Sequence, residues 1–149
     1  MGTLVGEVGR SAVTMAGLRV DLFLTRKDGK TPIGFYRYHA DMKGKYGSHW
    51  RWEIEDRGLL ENNHWYGIEQ YAKMNTPGKN DGTLRAWVDG KPAFAKVDIR
   101  MRDTDKLKIE LIWFNLYHGG SKAAEKDHHI YLDDVVISRK PIGMVKVRK

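Results

Sequence analysis

The stretch NTPGKNDGTLRAWVDGKP, residues 75–92, is the strongest indication of fold class in the sequence. It contains Asp-Gly twice, at Asp81-Gly82 and Asp89-Gly90, and Asp-Gly favours the positive φ angles of tight hairpin turns. Thr76-Pro77-Gly78 indicates a further turn, with Pro and Gly at its two central positions. Between the two Asp-Gly pairs, apolar and polar side chains alternate, as on a half-buried β-strand. The predicted core face consists of Leu84, Ala86 and Val88, and the opposite face carries Arg85 and Trp87.

Short alternating segments of this kind recur along the chain, which predicts an all-β protein. The other candidate strands are residues 18–26, 33–39, 50–55, 64–74, 93–97, 107–117 and 130–138. Asp28-Gly29 predicts a hairpin turn between the first two. Many short strands separated by turns favour an antiparallel β-sandwich or jelly roll, with a barrel as the structural alternative. We also predict that Ile109 and Val135 are buried and that Arg85 is exposed on a face that bears a groove.

Composition limits the partners that this chain can be expected to bind. Its 149 residues suit one domain, and 26 Lys and Arg against 19 Asp and Glu give a formal net charge of +7. Such a charge favours polyanions: nucleic acid or an acidic polysaccharide. No apolar run approaches the length of a membrane helix, so we predict no membrane partner. The absence of cysteine excludes disulfides and thiolate metal sites.

Four segments carry a resemblance to a known family. They are IEQYAKMNTPGKNDGTLRAWVDGKPAF at residues 68–94, DIRMRD at 98–103, IWFNLYHGG at 112–120 and YLDDVVIS at 131–138. Together they resemble the C-terminal half of family 14 polysaccharide lyases and their relatives, best over residues 65–138. Members of that family are jelly rolls of the concanavalin A-like type that cleave alginate or related polyuronates. The resemblance therefore implies this fold, an acidic-polysaccharide partner and β-elimination chemistry.

The resemblance also implies candidate catalytic residues. The family uses a Tyr-x-Tyr pair, which Tyr36 and Tyr38 match, and residues two apart on a strand share one face. A polyuronate lyase removes a proton beside a carboxylate and expels the glycosidic oxygen, so it needs a base, an acid and a cation near the carboxylate. Lys73, on the polar face of another predicted strand, is a further catalytic candidate that the resemblance does not supply.

Further polar faces indicate candidate substrate-binding residues. Glu69 and Tyr71 share a strand face with Lys73, and Arg85 and Trp87 offer a cation and an indole platform on the next strand. Asn115 and Tyr117 can extend the same polar surface, and His118 lies at the end of a predicted strand. Each residue type also occurs on ordinary solvated sheet faces, where an ion pair between Lys73 and Glu69 or a cation–π pair has little consequence.

No metal site or cofactor is predicted. His128 and His129 are adjacent in sequence, so on a strand they point to opposite faces and cannot bind one ion together. The same objection applies to Asp133 and Asp134 as calcium ligands, although carboxylates at a strand end can bind calcium.

The sequence is consistent with three functions. The first is a lyase-like protein that binds acidic polyuronates and cleaves them if it is active. The second is a non-catalytic carbohydrate-binding module on the same fold, which is favoured because the family's Ser-x-Arg pair has no counterpart around Arg19. The third is a single-stranded nucleic-acid binder; this is the weakest, because the basic residues are dispersed and no RNP, KH or zinc-finger pattern occurs.

We expect a single β-jelly-roll domain over residues 1–149, with the option that N-terminal strands of the family precede Met1. The resemblance suggests a secreted or periplasmic protein, and the first residues show no signal peptide. No feature of the sequence indicates whether the protein is a monomer or an oligomer.

Overall fold

The computed structural model describes residues 5–6, 18–22, 28–110, 127 and 129–143, with the backbone alone for the first two ranges. The strands in these ranges are β1 (Val5–Gly6), β2 (Leu18–Leu22), β3 (Thr31–Arg37), β4 (Ser48–Arg51), β5 (Leu59–Leu60), β6 (Ile68–Lys73), β7 (Gly82–Val88) and β8 (Lys91–Ile99). A single turn of 3-10 helix at Ile54–Asp56 is the helix content of the described residues.

The strands form two antiparallel sheets. In the larger sheet the order is β1-β2-β3-β4, and β5 pairs with the beginning of β3. In the smaller sheet the order is β6-β7-β8. The predicted fold class, an all-β antiparallel sandwich or jelly roll, is thus confirmed at the level of two antiparallel sheets with almost no helix; how the chain winds between them beyond the described strands stays a prediction.

Three of the predicted turns have the expected backbone. Asp89 and Gly90 have φ angles of 50° and 73°, which is the doubly positive geometry of a tight hairpin, and they join β7 to β8. Asp28 and Gly29 have φ angles of 50° and 76° before β3. Gly78 has a φ angle of 74°, and the Lys79 amide donates to the Thr76 carbonyl at 2.9 Å, which closes the predicted turn around Pro77.

The predicted turn at Asp81-Gly82 is wrong. Gly82 is the first residue of β7 and its φ angle is not positive. Glycine is needed there for close approach instead, because an added Cβ would lie 2.6 Å from the carbonyl oxygen of Ile99 on the paired strand. Asp81 folds back on the preceding turn, where its carboxylate accepts hydrogen bonds from the Thr76 amide and the Thr76 hydroxyl, each at 2.6 Å.

The hydrophobic core lies between the two sheets. Phe35 of β3 is fully buried and meets Phe94 of β8 edge to face, with ring centroids 5.2 Å apart. Trp52, just after β4, makes the same kind of contact with Phe35 at 5.2 Å. The predicted core face of β7 is confirmed, since its three apolar residues are buried. The buried apolar residues are Ile33, Phe35, Trp52, Leu84, Ala86, Val88, Ala93, Ile99 and Met101.

A buried asparagine ties the turn before β7 to the segment after β8. The Asn75 side chain donates to the carbonyls of Thr76, Lys79 and Arg102. Its amide oxygen accepts from the amides of Met101 and Arg102, both at 2.9 Å. Because buried polar groups need partners, this one side chain stabilises both segments through hydrogen bonds to five of their backbone groups.

Two burial predictions fail in the C-terminal part of the chain. Ile109 is 51% exposed and Val135 is 47% exposed. Residues 130–138 form no strand and lie exposed, and residues 107–110, the described beginning of another predicted strand, form none either. Apolar alternation shows which residues can share a face, but a strand also needs a neighbouring strand to accept its hydrogen bonds.

Candidate functional site

Tyr36 and Tyr38 form a pair at the end of β3, on the face that points away from the core. Their hydroxyl oxygens lie 3.2 Å apart, within hydrogen-bond distance, and either oxygen can be the donor. Their rings meet edge to face, with centroids 5.5 Å apart and planes at 88°. Both side chains are half-buried, whereas Phe35 and Arg37 on the reverse face are buried. This tyrosine pair therefore presents two coupled hydroxyl groups at the surface of the larger sheet.

The loop between β3 and β4 fixes the position of Tyr36. The Gly47 amide donates a hydrogen bond to the Tyr36 hydroxyl oxygen at 2.9 Å. A Cβ at residue 47 would lie 2.8 Å from the Tyr36 ring and 2.7 Å from the Arg37 carbonyl oxygen, so only glycine allows this approach. The register of β3 and β4 places His49 opposite Tyr36, with ring centroids 4.7 Å apart.

Sequence reasoning missed Gly47 and His49. Neither belongs to a motif, and the register that brings them to Tyr36 spans a ten-residue loop between β3 and β4, which alternation does not determine. The signal that could have been used is the short run Gly47–Arg51 itself, in which polar His49 and Arg51 alternate with Trp50.

The other described candidates lie on the outer face of the smaller sheet. We call them the outer row: Glu69, Tyr71, Lys73, Arg85 and Trp87. The pairing of β6 with β7 places Glu69 opposite Trp87 and Tyr71 opposite Arg85. Three of the five side chains are exposed, and Glu69 and Trp87 are half-buried. The Glu69 carboxylate accepts a hydrogen bond at 3.0 Å from the amide of Ile142, so the C-terminal segment contacts this face.

The tyrosine pair and the outer row do not meet. Phe35, on the reverse face of the strand that carries Tyr36, contacts Phe94 of the smaller sheet, so the core separates the two sets. Lys73 belongs to the outer row and is not brought to the tyrosines with which the sequence grouped it. The reason is that residue spacing places side chains on a strand face but does not tell which sheet the strand joins.

Several expectations fall outside these two surfaces. Asn115, Tyr117 and His118 lie outside the described residues. Within the described ranges, no group of three or more His, Asp or Glu side chains is placed to hold a metal ion. No helix in the same part of the chain is long and apolar enough to cross a membrane.

Comparison with known families adds an independent finding. The sequence model of the family described as Polysaccharide lyase 14 matches residues 47–135, which is more than half of the 149 residues. The chain belongs to this family of polysaccharide lyases. The matched segment contains β4 and the whole outer row, whereas Tyr36 and Tyr38 precede it. Comparisons with curated proteins and with solved structures found no match.

Proposed function

We propose that this protein binds acidic polyuronates of the alginate type and cleaves them by β-elimination, with Tyr36 and Tyr38 as the acid–base pair. The observation that carries the proposal is the 3.2 Å separation of the two hydroxyl oxygens. It is supported by membership of a polysaccharide lyase family and by a net charge of +7, which suits an anionic polymer.

The pair can supply both proton transfers that the reaction needs. One tyrosine, as its phenolate, takes the proton from the carbon next to the uronate carboxylate. The electrons of that C–H bond form a carbon–carbon double bond, and the bond from the neighbouring carbon to the glycosidic oxygen breaks. The second tyrosine gives its proton to the departing oxygen. A proton then crosses the hydrogen bond between the two hydroxyl groups and restores the starting state.

Strand β4 offers the groups that such a reaction needs around the tyrosines. His49 lies opposite Tyr36, and Arg51 is two residues further along the same face. Both side chains are exposed. A cation at this place stabilises the negative charge that builds up on the uronate carboxylate while the proton leaves. In this proposal Arg51 neutralises the carboxylate, and Gly47 and His49 hold Tyr36 in position.

The outer row serves a separate purpose in this proposal. Its cationic and aromatic side chains bind the polymer at a distance from the tyrosine pair, which raises affinity for the polymer without changing the rate of cleavage. Sugar rings pack on exposed aromatic faces, and Arg85 and Lys73 attract carboxylates.

A non-catalytic carbohydrate-binding module is the second candidate. The observation that favours it is that the family match begins at residue 47, so it contains the outer row but not the tyrosine pair. On this alternative, the outer row binds the polysaccharide and the tyrosines support the sheet.

Product formation separates the two candidates. Cleavage by β-elimination leaves an unsaturated uronate that absorbs in the ultraviolet, so the protein is incubated with alginate, glucuronan and a heparin-like polymer. Growth of that absorbance with at least one of them is the result that the lyase proposal requires. Binding of a polyuronate in a calorimetric or pull-down assay, without any absorbance change, would replace it by the binding module. Binding of single-stranded DNA alone would contradict both.

A further inference from the structure

Arg37 stands between the two tyrosines in the chain, but its side chain lies on the opposite face of β3. It points into the space between the sheets and is 5% exposed. Its guanidinium group lies over the indole ring of Trp50. Among the described residues, its Nε and Nη1 atoms have no hydrogen-bond partner. Buried polar groups are normally hydrogen-bonded and buried charges are normally paired, so these two donors call for a ligand.

The acidic residue that acts on Arg37 is already bound elsewhere. Asp41 Oδ1 accepts a hydrogen bond from Arg100 Nη1 at 2.8 Å, and Arg100 also donates to both carboxylate oxygens of Asp103. Burial lowers the pKa of the Arg37 guanidinium to about 9, and the negative charge of Asp41 opposes this shift. The group therefore keeps its positive charge at neutral pH while two of its donors stay unmatched.

A second cation from the other sheet reaches the same place. Lys96 of β8 is exposed, and its Nζ lies 4.9 Å from the centroid of the Trp50 ring. His39 stacks near the same indole, with centroids 6.1 Å apart and planes at 28°. We call Arg37, His39, Trp50 and Lys96 the Trp50 cluster. No ion pair of Lys96 or Arg37 occurs within the described ranges. Lys96 is exposed and His39 and Trp50 are half-buried, so the cluster borders solvent, whereas Arg37 itself is buried.

We propose that the Trp50 cluster is a binding site for a carboxylate group, which reaches Arg37 past the exposed Lys96 side chain and is carried by an acidic sugar. A carboxylate supplies acceptors for the two donors of Arg37 that have none among the described residues, and hydrogen bonds between ions are stronger than those between neutral groups. The choice of a sugar acid rests on the proposed function. The site itself does not, because the cluster lies on the face of β3 that is turned away from the tyrosine pair.

The Nε–H signal of Arg37 in a ¹⁵N NMR spectrum tests the site directly. The signal is assigned by its loss in Arg37→Lys, and sodium glucuronate, sodium acetate, glucose and sodium chloride are added separately, the salts at equal ionic strength. We expect glucuronate to move the Arg37 signal in a saturable way, acetate to move it less, and glucose and chloride to leave it in place. Equal effects of glucuronate and acetate would overturn the sugar-acid assignment. No effect of either carboxylate, or an equal effect of chloride, would overturn the site.

Variants provide a second, independent readout. Arg37→Lys keeps the charge but loses the guanidinium donors, and glucuronate affinity should fall by roughly 10- to 100-fold, the usual loss for a hydrogen bond to a charged group. If that variant does not fold, Lys96→Gln at an exposed position should still weaken glucuronate binding several-fold. Lys91→Gln, the same change at another exposed position of β8, is the matched control and should bind as the wild type does. Equal binding by Lys96→Gln, Lys91→Gln and the wild type would contradict the role of Lys96.

The test stays informative if the proposed function fails. A protein that cleaves no polyuronate but shows the Arg37 shift with glucuronate would retain this site and lose the lyase activity. A protein that cleaves polyuronate and shows no Arg37 shift would retain the activity and lose this site.

Discussion

Phe35 and Phe94 meet edge to face across the two sheets, with ring centroids 5.2 Å apart. This contact fixes which faces of the sandwich look inward, and thereby which candidate residues can act together. Tyr36, next to Phe35, looks outward from the larger sheet, and Arg85, on the strand paired with β8, looks outward from the smaller one.

Tyr38→Phe removes one hydroxyl group and keeps the aromatic ring. If the tyrosine pair is the acid–base pair, polyuronate turnover should fall by roughly 10²- to 10⁴-fold while polymer affinity changes little, as is typical for the loss of a general acid or base. Steady-state kinetics by ultraviolet absorbance measures both. Tyr131→Phe is the matched control, because Tyr131 is 75% exposed and far from β3 in sequence. A loss of less than about threefold in Tyr38→Phe would show that this residue is not catalytic.

Arg85→Gln removes a positive charge from the outer row and leaves the tyrosine pair untouched. Polyuronate affinity should fall by a few-fold and depend less on salt, while the turnover number stays the same, because rim charges act mainly on association. Titration calorimetry at two salt concentrations is the measurement. Lys79→Gln, in the exposed turn before β7, controls for loss of one charge. A lower turnover number in Arg85→Gln would contradict the separation of the two surfaces.

Phe35→Ala leaves a cavity where the two sheets meet. Since Phe35 is fully buried and contacts both Trp52 and Phe94, the free energy of unfolding should fall by about 3–5 kcal/mol. Urea unfolding followed by circular dichroism measures this. Val97→Ala, at a position that is 50% exposed, should change the same quantity by less than about 0.5 kcal/mol. Similar values for the two variants would mean that the sheets do not share this core.

Asp81→Asn tests the turn before β7 through its pH dependence. Hydrogen bonds from the side chain and then the backbone of Thr76 lower the pKa of the Asp81 carboxyl below its ordinary value of 3.8. A carboxylate with a lowered pKa stabilises the fold above 3.8, and this contribution is lost as the pH falls through the lower, folded-state pKa. The wild type should therefore be more stable than Asp81→Asn near neutral pH, and the difference should shrink as the pH falls below 3.8.

Thermal unfolding of the wild type and of Asp81→Asn, from neutral pH to below 3.8, measures this difference in stability. Asp105→Asn, the same change at an exposed position after β8, should follow the wild-type pH profile. A stability difference between wild type and Asp81→Asn that grows on acidification would refute the role given to Thr76.

The strand β7 shows how far sequence patterns can be trusted in this protein. Its alternation predicted the buried face of Leu84, Ala86 and Val88, and Asp89-Gly90 predicted the hairpin that follows, because both depend on local backbone geometry. The same reasoning failed at Asp81-Gly82, where glycine is required because the Ile99 carbonyl of the paired strand β8 lies too close for a side chain. It also failed at Ile109 and Val135, which lie exposed in segments where the described residues form no strand.

Local features follow from the sequence alone: three of the four predicted turns, the two faces of strand β7, and the common face of Tyr36 and Tyr38. How those faces combine depends on the tertiary fold. It placed Lys73 on the sheet opposite the tyrosines, Gly47 and His49 against Tyr36, and the unmatched Arg37 beside Trp50 and Lys96. The physical reason is that φ and ψ preferences and side-chain alternation act within a few residues, whereas strand order and register are set by packing between segments that are distant in sequence.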